Sequence, residues 1–302
     1  MKKYKTKGFI NGILASISYG TNPLFALPMY KLGMSVNSVL FYRYLFAVII
    51  YFAIIKLFKK VDLRISIKEF FSILIMAILF SLSSITLFNS FNYMDSGIAC
   101  TILFVYPIIV ALISVFFFKE KLSKTSILAM IITITGIVIL NGGISGNLNL
   151  IGLLLVFASA LVYAIYIVLV KNLNSIKHMK YEKLTFYVML IGVFVFVINL
   201  KFCTELQPIN DWKIFIFSIA LAIFPTIISI ETINVAIRLV GPTTTAILGA
   251  LEPLTAIFFG FLFFNEILSF KDFIGVCLII LGVILIITRD KINKQLYNKI
   301  KS

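Results

Sequence analysis

The chain has 302 residues, is 61% hydrophobic with a mean hydropathy of +1.09, and carries only 13% charged residues, too little polar material to cover a soluble core of this length. Its apolar runs recur from end to end, so a lone signal peptide or single anchor does not account for them. The formal charge of +15 sits in short gaps between those runs, with no arginine-rich face or groove-reading motif, which points to membrane topology and lipid headgroups and away from nucleic acid.

A bilayer-spanning helix needs roughly 20 apolar residues. Cutting the sequence at charge and turn signals predicts ten such spans, over residues 9–29, 37–57, 70–90, 96–118, 125–141, 150–170, 184–200, 214–234, 243–264 and 272–288. The first run is too long for a signal-peptide core and no A-x-A-like site follows it, so it is expected to remain as the first helix. The second carries a charge, Arg43, inside its apolar run. Asp95 and Gly97 supply a turn between the third and fourth. In the fourth, Tyr106 and Pro107 open an apolar run that ends in "FKEKL", with Glu120 at the expected membrane edge. A polar, flexible stretch from Asn141 to Asn149 follows the fifth span and reads as a join. The ninth opens its own run with Glu252 and Pro253 and ends in "FNEIL", with Glu266 in the place of Glu120.

The two stretches repeat. Each proline precedes its glutamate by 13 residues, and both pairs are offset by 146, as are Gly136 and Gly282. Nearer the start of each half, Gly8 and Tyr19 match Gly152 and Tyr163 at an offset of 144. Several matches in one order indicate an internal duplication. Five helices per half is an odd number, so the halves are expected to thread the bilayer in opposite senses, an arrangement carriers use to exchange inward- and outward-facing states. Most of the 27 basic residues fall on one side of this scheme: the N-terminal lysines, Lys56 to Lys68, Lys119 to Lys124, Lys171 to Lys183, Arg238 and the C-terminal tail. Lys31, Lys201, Lys213 and Lys271 fall on the other. The positive-inside rule then puts both termini in the cytoplasm.

With these features the chain resembles the drug/metabolite transporter superfamily, specifically its EamA-like ten-helix permeases. The resemblance rests on the five-plus-five duplication, the segments "YP...FFFKEKL" and "LEPLTAIFFGFLFFNEIL", the glycine-bearing helices "ILAMIITITGIVIL" and "FIGVCLIILGVILI", and the helix-two arginine in "FYRYLFA". Lys119 and Asn265 stand before the two glutamates where the family often has glycine. The resemblance implies an all-α polytopic membrane protein of ten transmembrane helices, built as two inverted five-helix repeats over residues 1–145 and 146–302. It also implies an inner-membrane carrier for amino acids, their derivatives, other small metabolites or drugs, often working as an exporter.

Charged side chains within the hydrocarbon usually face a bundle interior or water. Arg43, Glu231 and Glu252 stand out in this chain's apolar runs. Arg43 and Glu252 are expected to reach a central cavity, Arg43 to grip a substrate carboxylate in a bidentate pair and Glu252 to meet an ammonium group or a proton. The alternative is a structural salt bridge between them, or an Arg43 that snorkels to the interface. Tyr19 and Asn22 share a helix face, as do Tyr163 and Tyr166, and Asn89 and Asn92; each pair is a candidate for the cavity wall or for bonds within the bundle. Pro107, Pro225 and Pro253 are candidate helix kinks whose freed carbonyls line the route or simply set the packing. The single histidine, His178, and the scattered Cys100, Cys203 and Cys277 offer no metal or cofactor ligand set, and no Walker A sequence is present. The function expected is secondary transport of a small organic solute by alternating access, with membrane lipid and in some cases a proton as partners, and with the oligomeric state, monomer or homodimer, open. A channel or a carrier for other solutes is the second reading and a membrane-embedded enzyme the third.

Overall fold

The computed structural model describes residues 2–90, 93, 99, 102–140, 149–264 and 270–301. The described residues are helical, with no strand among them. Among the described residues six helices are long and apolar enough to cross a bilayer: Val36–Lys59, Ile67–Ser90, Leu150–Asn172, Tyr181–Asn199, Trp212–Val240 and Pro242–Phe263. Shorter apolar helices lie over Tyr106–Phe118, Lys124–Ile139 and Phe273–Thr288. The protein is therefore an all-α, multi-pass membrane protein. Large apolar side chains such as Phe116, Phe117, Leu154 and Ile198 stand exposed on the outside of the bundle, as lipid contact requires.

Local chemistry sets the helix ends. The expected span 9–29 is two helices, α1 (Lys2–Gly20) and α2 (Asn22–Lys31), because Pro23 lacks the amide hydrogen a continuous helix would need and fits the first turn of a new one. Ser35 caps α3 (Val36–Ile54) by accepting from the Ser38 amide, and the helix widens into a π turn at Ile55–Lys59. Ser66 and Glu69 form a reciprocal capping box that opens α4 (Ile67–Ser90), at 2.7 and 3.3 Å. Then come α5 (Tyr106–Phe118), α6 (Lys124–Leu140) and α7 (Leu150–Asn172), the last capped by Asn149. Next is α8 (Tyr181–Asn199); α9 (Trp212–Ala222) then passes through a π segment, Ile223–Ile228, into α10 (Ser229–Val240). The expected ninth span is α11 (Pro242–Leu248) and α12 (Leu251–Phe264), separated by a turn at Gly249–Ala250, and the chain ends in α13 (Phe270–Lys301).

The connections sort to two ends of the bundle. At one end Lys171 pairs with Glu120 at 2.8 Å, Arg238 donates to the carbonyls of Met179 and Ile176, and Tyr187 donates to the Leu63 carbonyl at 2.6 Å. At the other end Gln207 bonds Gly33 and Ser38, and Asn199 bonds Asn37 at 3.0 Å. The basic gaps gather at the first end, as the charge pattern anticipates.

Contacts between the two halves are reciprocal. A side chain at Gly136 on α6 would run into Gly275, Leu278 and Ile279 of α13, and one at Gly282 into Ala129 and Thr133 of α6. Gly282 lies 146 residues after Gly136, and Gly275 and Ile279 lie the same distance after Ala129 and Thr133. The two helices cross antiparallel at these glycines. Likewise Ser83 on α4 meets Ser159 on α7, and Ser229 on α10 donates to the Ala15 carbonyl on α1 at 3.1 Å. Ser229 is the counterpart of Ser83, and Ser159 of Ala15. Contacts that map onto themselves in this way are what a two-fold relation between halves generates.

Candidate functional site

Helix breaks place the interior side chains. Gly20 ends α1 against α12 so closely that a Cβ there would lie 2.5 Å from the Glu252 carbonyl and 2.6 Å from Thr255 Cβ. That approach brings Tyr19, one residue before it, beside Glu252. Pro253 lies in the first turn of α12 just after the Gly249–Ala250 turn, and Pro107 lies in the first turn of α5 just after a turn at Phe104–Val105. Both prolines thus open a helical segment, where a missing amide hydrogen costs nothing, rather than kinking a continuous one. The residue before each, Tyr106 or Glu252, is delivered to the interior.

Tyr19, Tyr106, Tyr163 and Glu252 line one cavity, with Ser83 and Ser84 of α4 as further polar groups. Phe80, Leu87, Leu103 and Phe104 complete its wall. The Tyr106 and Tyr163 rings meet edge to face at 5.1 Å, and Phe80 lies 6.1 Å from Tyr163. The four named first are two repeat-related pairs, Tyr19 with Tyr163 and Tyr106 with Glu252. The enclosed volume is about 30 Å³, room for about one water. Tyr106 donates across the halves to the Ala246 carbonyl at 3.2 Å, and its hydroxyl fills the space where a Gly249 side chain would stand. Among the described residues none donates a hydrogen bond to the Glu252 carboxylate. Arg43 is near enough to act on it electrostatically but makes no direct ion pair with it.

Arg43 is 3% exposed. Its Nε donates to Thr226 Oγ1 at 2.5 Å, Nη2 to the Pro225 carbonyl at 2.8 Å and Nη1 to Asn22 Oδ1 at 3.2 Å. The guanidinium also lies 5.5 Å from the Tyr19 ring centroid and 5.8 Å from that of Tyr44. The π segment makes this possible: Thr226 Oγ1 donates to the Leu221 carbonyl five residues back and accepts from Arg43 on its other side. Three of the five guanidinium N–H groups are thus taken by protein acceptors, and Arg43 neither pairs with Glu252 nor snorkels.

The other expected residues separate. Asn22 holds Arg43. Tyr166 lies one layer out, its ring parallel to Tyr163 at 6.4 Å and its hydroxyl donating to buried Asn234, which in turn donates to Thr185. Glu231 is held away from the cavity at the basic end, where Tyr51 donates to it at 2.8 Å and Lys59 pairs with it. Asn89 is exposed at the end of α4, and Asn92 lies outside the described residues. Ser83, Ser84, Phe80 and Thr226 carried no charge or spacing signal that could single them out. Tyr106 could have been found by laying the halves over each other at the 146-residue offset. Among the described residues no group of three or more His, Cys, Asp or Glu could hold a metal ion.

The profile of the EamA-like transporter family matches twice, over residues 6–142 and again over 150–288. A solved structure, described as "Crystal structure of protein", superposes with a TM-score of 0.77 at 16% identity, covering 92% of this chain and 96% of its own, a likeness of fold. No curated protein sequence matches the chain. The paired matches meet at the Asn141–Asn149 join and between them take in every residue of the cavity: the chain belongs to the EamA-like transporter family.

Proposed function

We propose that this transporter is a secondary carrier that exports a small amphipathic organic solute, an amino acid or a relative of one, across the cell's inner membrane by alternating access. The observation that carries the reading is the cavity itself: two repeat-related pairs, Tyr19 with Tyr163 and Tyr106 with Glu252, converge on one space. A cavity of about 30 Å³ is too small for such a solute, so binding requires the halves to move apart. The reciprocal glycine and serine contacts and the two family matches support ten helices in two inverted repeats, residues 1–145 and 146–302, as the machinery of that motion. The basic end of the bundle supports cytoplasmic termini. Glu252, with no donor among the described residues, is the group that meets the solute or takes up a proton in its absence.

The test is counterflow in vesicles holding the purified full chain, with labelled amino acids, amines and organic acids screened with and without a pH gradient. Saturable exchange in the wild type and a loss of about 10-fold or more in Glu252→Gln are expected, the scale of losing one charge-assisted contact in a dry site. A variant that keeps the wild-type rate and pH profile would remove Glu252 from the mechanism. Flux that rises linearly with concentration would identify a channel instead.

A further inference from the structure

The cavity holds one carboxyl group among aromatic rings, Glu252, with no ion-pair partner among the described residues, and the nearest cation, Arg43, is bonded elsewhere. The Nε–Nη2 edge of a guanidinium is one of the forks that grip a carboxylate through two parallel bonds. In Arg43 that edge is filled by Thr226 Oγ1 and the Pro225 carbonyl, and Asn22 takes Nη1. Among the described residues no basic side chain lines the cavity. Glu252, with the faces of Tyr19, Phe80, Tyr106 and Tyr163, therefore favours a positive group, while the lining offers a carboxylate only neutral hydroxyls.

We infer that the site selects a monovalent organic cation, an aromatic or aliphatic amine without a free carboxylate, over the corresponding zwitterionic amino acid. The inference rests on the carrier reading and narrows its substrate class. The ammonium sits against Glu252 with the rings of Tyr163 and Tyr19 around it, and the apolar tail lies toward Phe80, Leu87 and Leu103. A zwitterion of the same size brings a carboxylate beside Glu252 and must give up its hydration without a cationic partner.

Three labelled probes that differ only in charge test this in vesicles holding the full-length protein: phenethylamine, phenylalanine and phenylacetate. Phenethylamine is expected to show saturable counterflow, with the other two competing at least about 10-fold more weakly, the discrimination expected when a buried polar group is left unpaired. Glu252→Gln is expected to abolish amine exchange. Tyr163→Leu is expected to raise KM for the amine several-fold more than Tyr163→Phe, which keeps the ring and its attraction for a cation. Phenylalanine or phenylacetate competing as well as the amine, or moving without it, would overturn the cation assignment and leave the carrier reading standing. Equal KM for the two Tyr163 variants would also overturn the assignment. No saturable flux of any of the three, from protein with an intact thermal transition, would overturn both.

Discussion

Arg43 shows how a guanidinium is kept inside an apolar bundle without a counter-ion beside it. Three acceptors from two other helical segments and two aromatic rings replace the water it has lost. Truncation to leucine leaves the Pro225 carbonyl, Thr226 hydroxyl and Asn22 amide short of donors. Arg43→Leu is expected to lower stability by about 3 kcal/mol, and Thr226→Val by about 1 kcal/mol, since the first removes bonds to a charge and the second one acceptor. Arg43→Lys should fall near the leucine variant, because an ammonium cannot reach acceptors spread along a planar fork. Thermal unfolding in detergent gives the order; a lysine variant as stable as wild type would contradict it. Arg43 itself was legible in the sequence as a charge within an apolar run. Its partners were not, because Pro225 and Thr226 are some 180 residues away and present their oxygens only through a π turn that tertiary packing creates.

Between elements, the crossing of α6 and α13 is set by two glycines that each press on the other helix. The space is tight enough that a Cβ on Gly136 would lie 2.9 Å from the Gly275 carbonyl, and one on Gly282 2.9 Å from the Ala129 carbonyl. Backbone cannot yield as a flexible side chain can, so Gly136→Val and Gly282→Val should each destabilise by about 1–3 kcal/mol, the usual cost of overpacking. The reciprocity adds a sharper expectation: the two losses should be similar, and the double variant should fall short of their sum once the first has pushed the helices apart. Apparent Tm values of the three variants decide it, and a loss confined to one glycine would show that the contact is not shared. The position of both helices could be read from hydropathy, and the glycines from the 146-residue offset. Where helices break inside a span could be read only in part. Pro107 and Pro253 flagged the places, but whether a proline kinks a helix or begins one depends on whether the preceding turn packs, as it does at Phe104–Val105 and Gly249–Ala250.

For the whole molecule, the direction in which each half crosses the bilayer follows from which ends meet. Glu120, in the connection after α5, pairs with Lys171 at the end of α7, and Arg238 near the end of α10 reaches the carbonyls of Ile176 and Met179. Lys121 therefore belongs to the basic end. From there α6 runs away, and α13 lies antiparallel against it, since Gly136 meets Gly275 while Gly282 meets Ala129. The start of α13, with exposed Lys271, must then lie at the opposite end. Lys121 and Lys271 stand near corresponding points of the two halves, so the proposed inversion requires them on opposite sides of the membrane. Single-cysteine variants Lys121→Cys and Lys271→Cys, made after replacing Cys100, Cys203 and Cys277, test it with an impermeant maleimide on intact cells. Lys271→Cys is expected to label from outside and Lys121→Cys only after the membrane is opened, as the positive-inside rule requires of the lysine-rich loop. Labelling of both from one side would mean that the halves run in the same sense. The reciprocal contacts would then need another origin, and exchange of conformation between the halves would no longer supply the alternation of access.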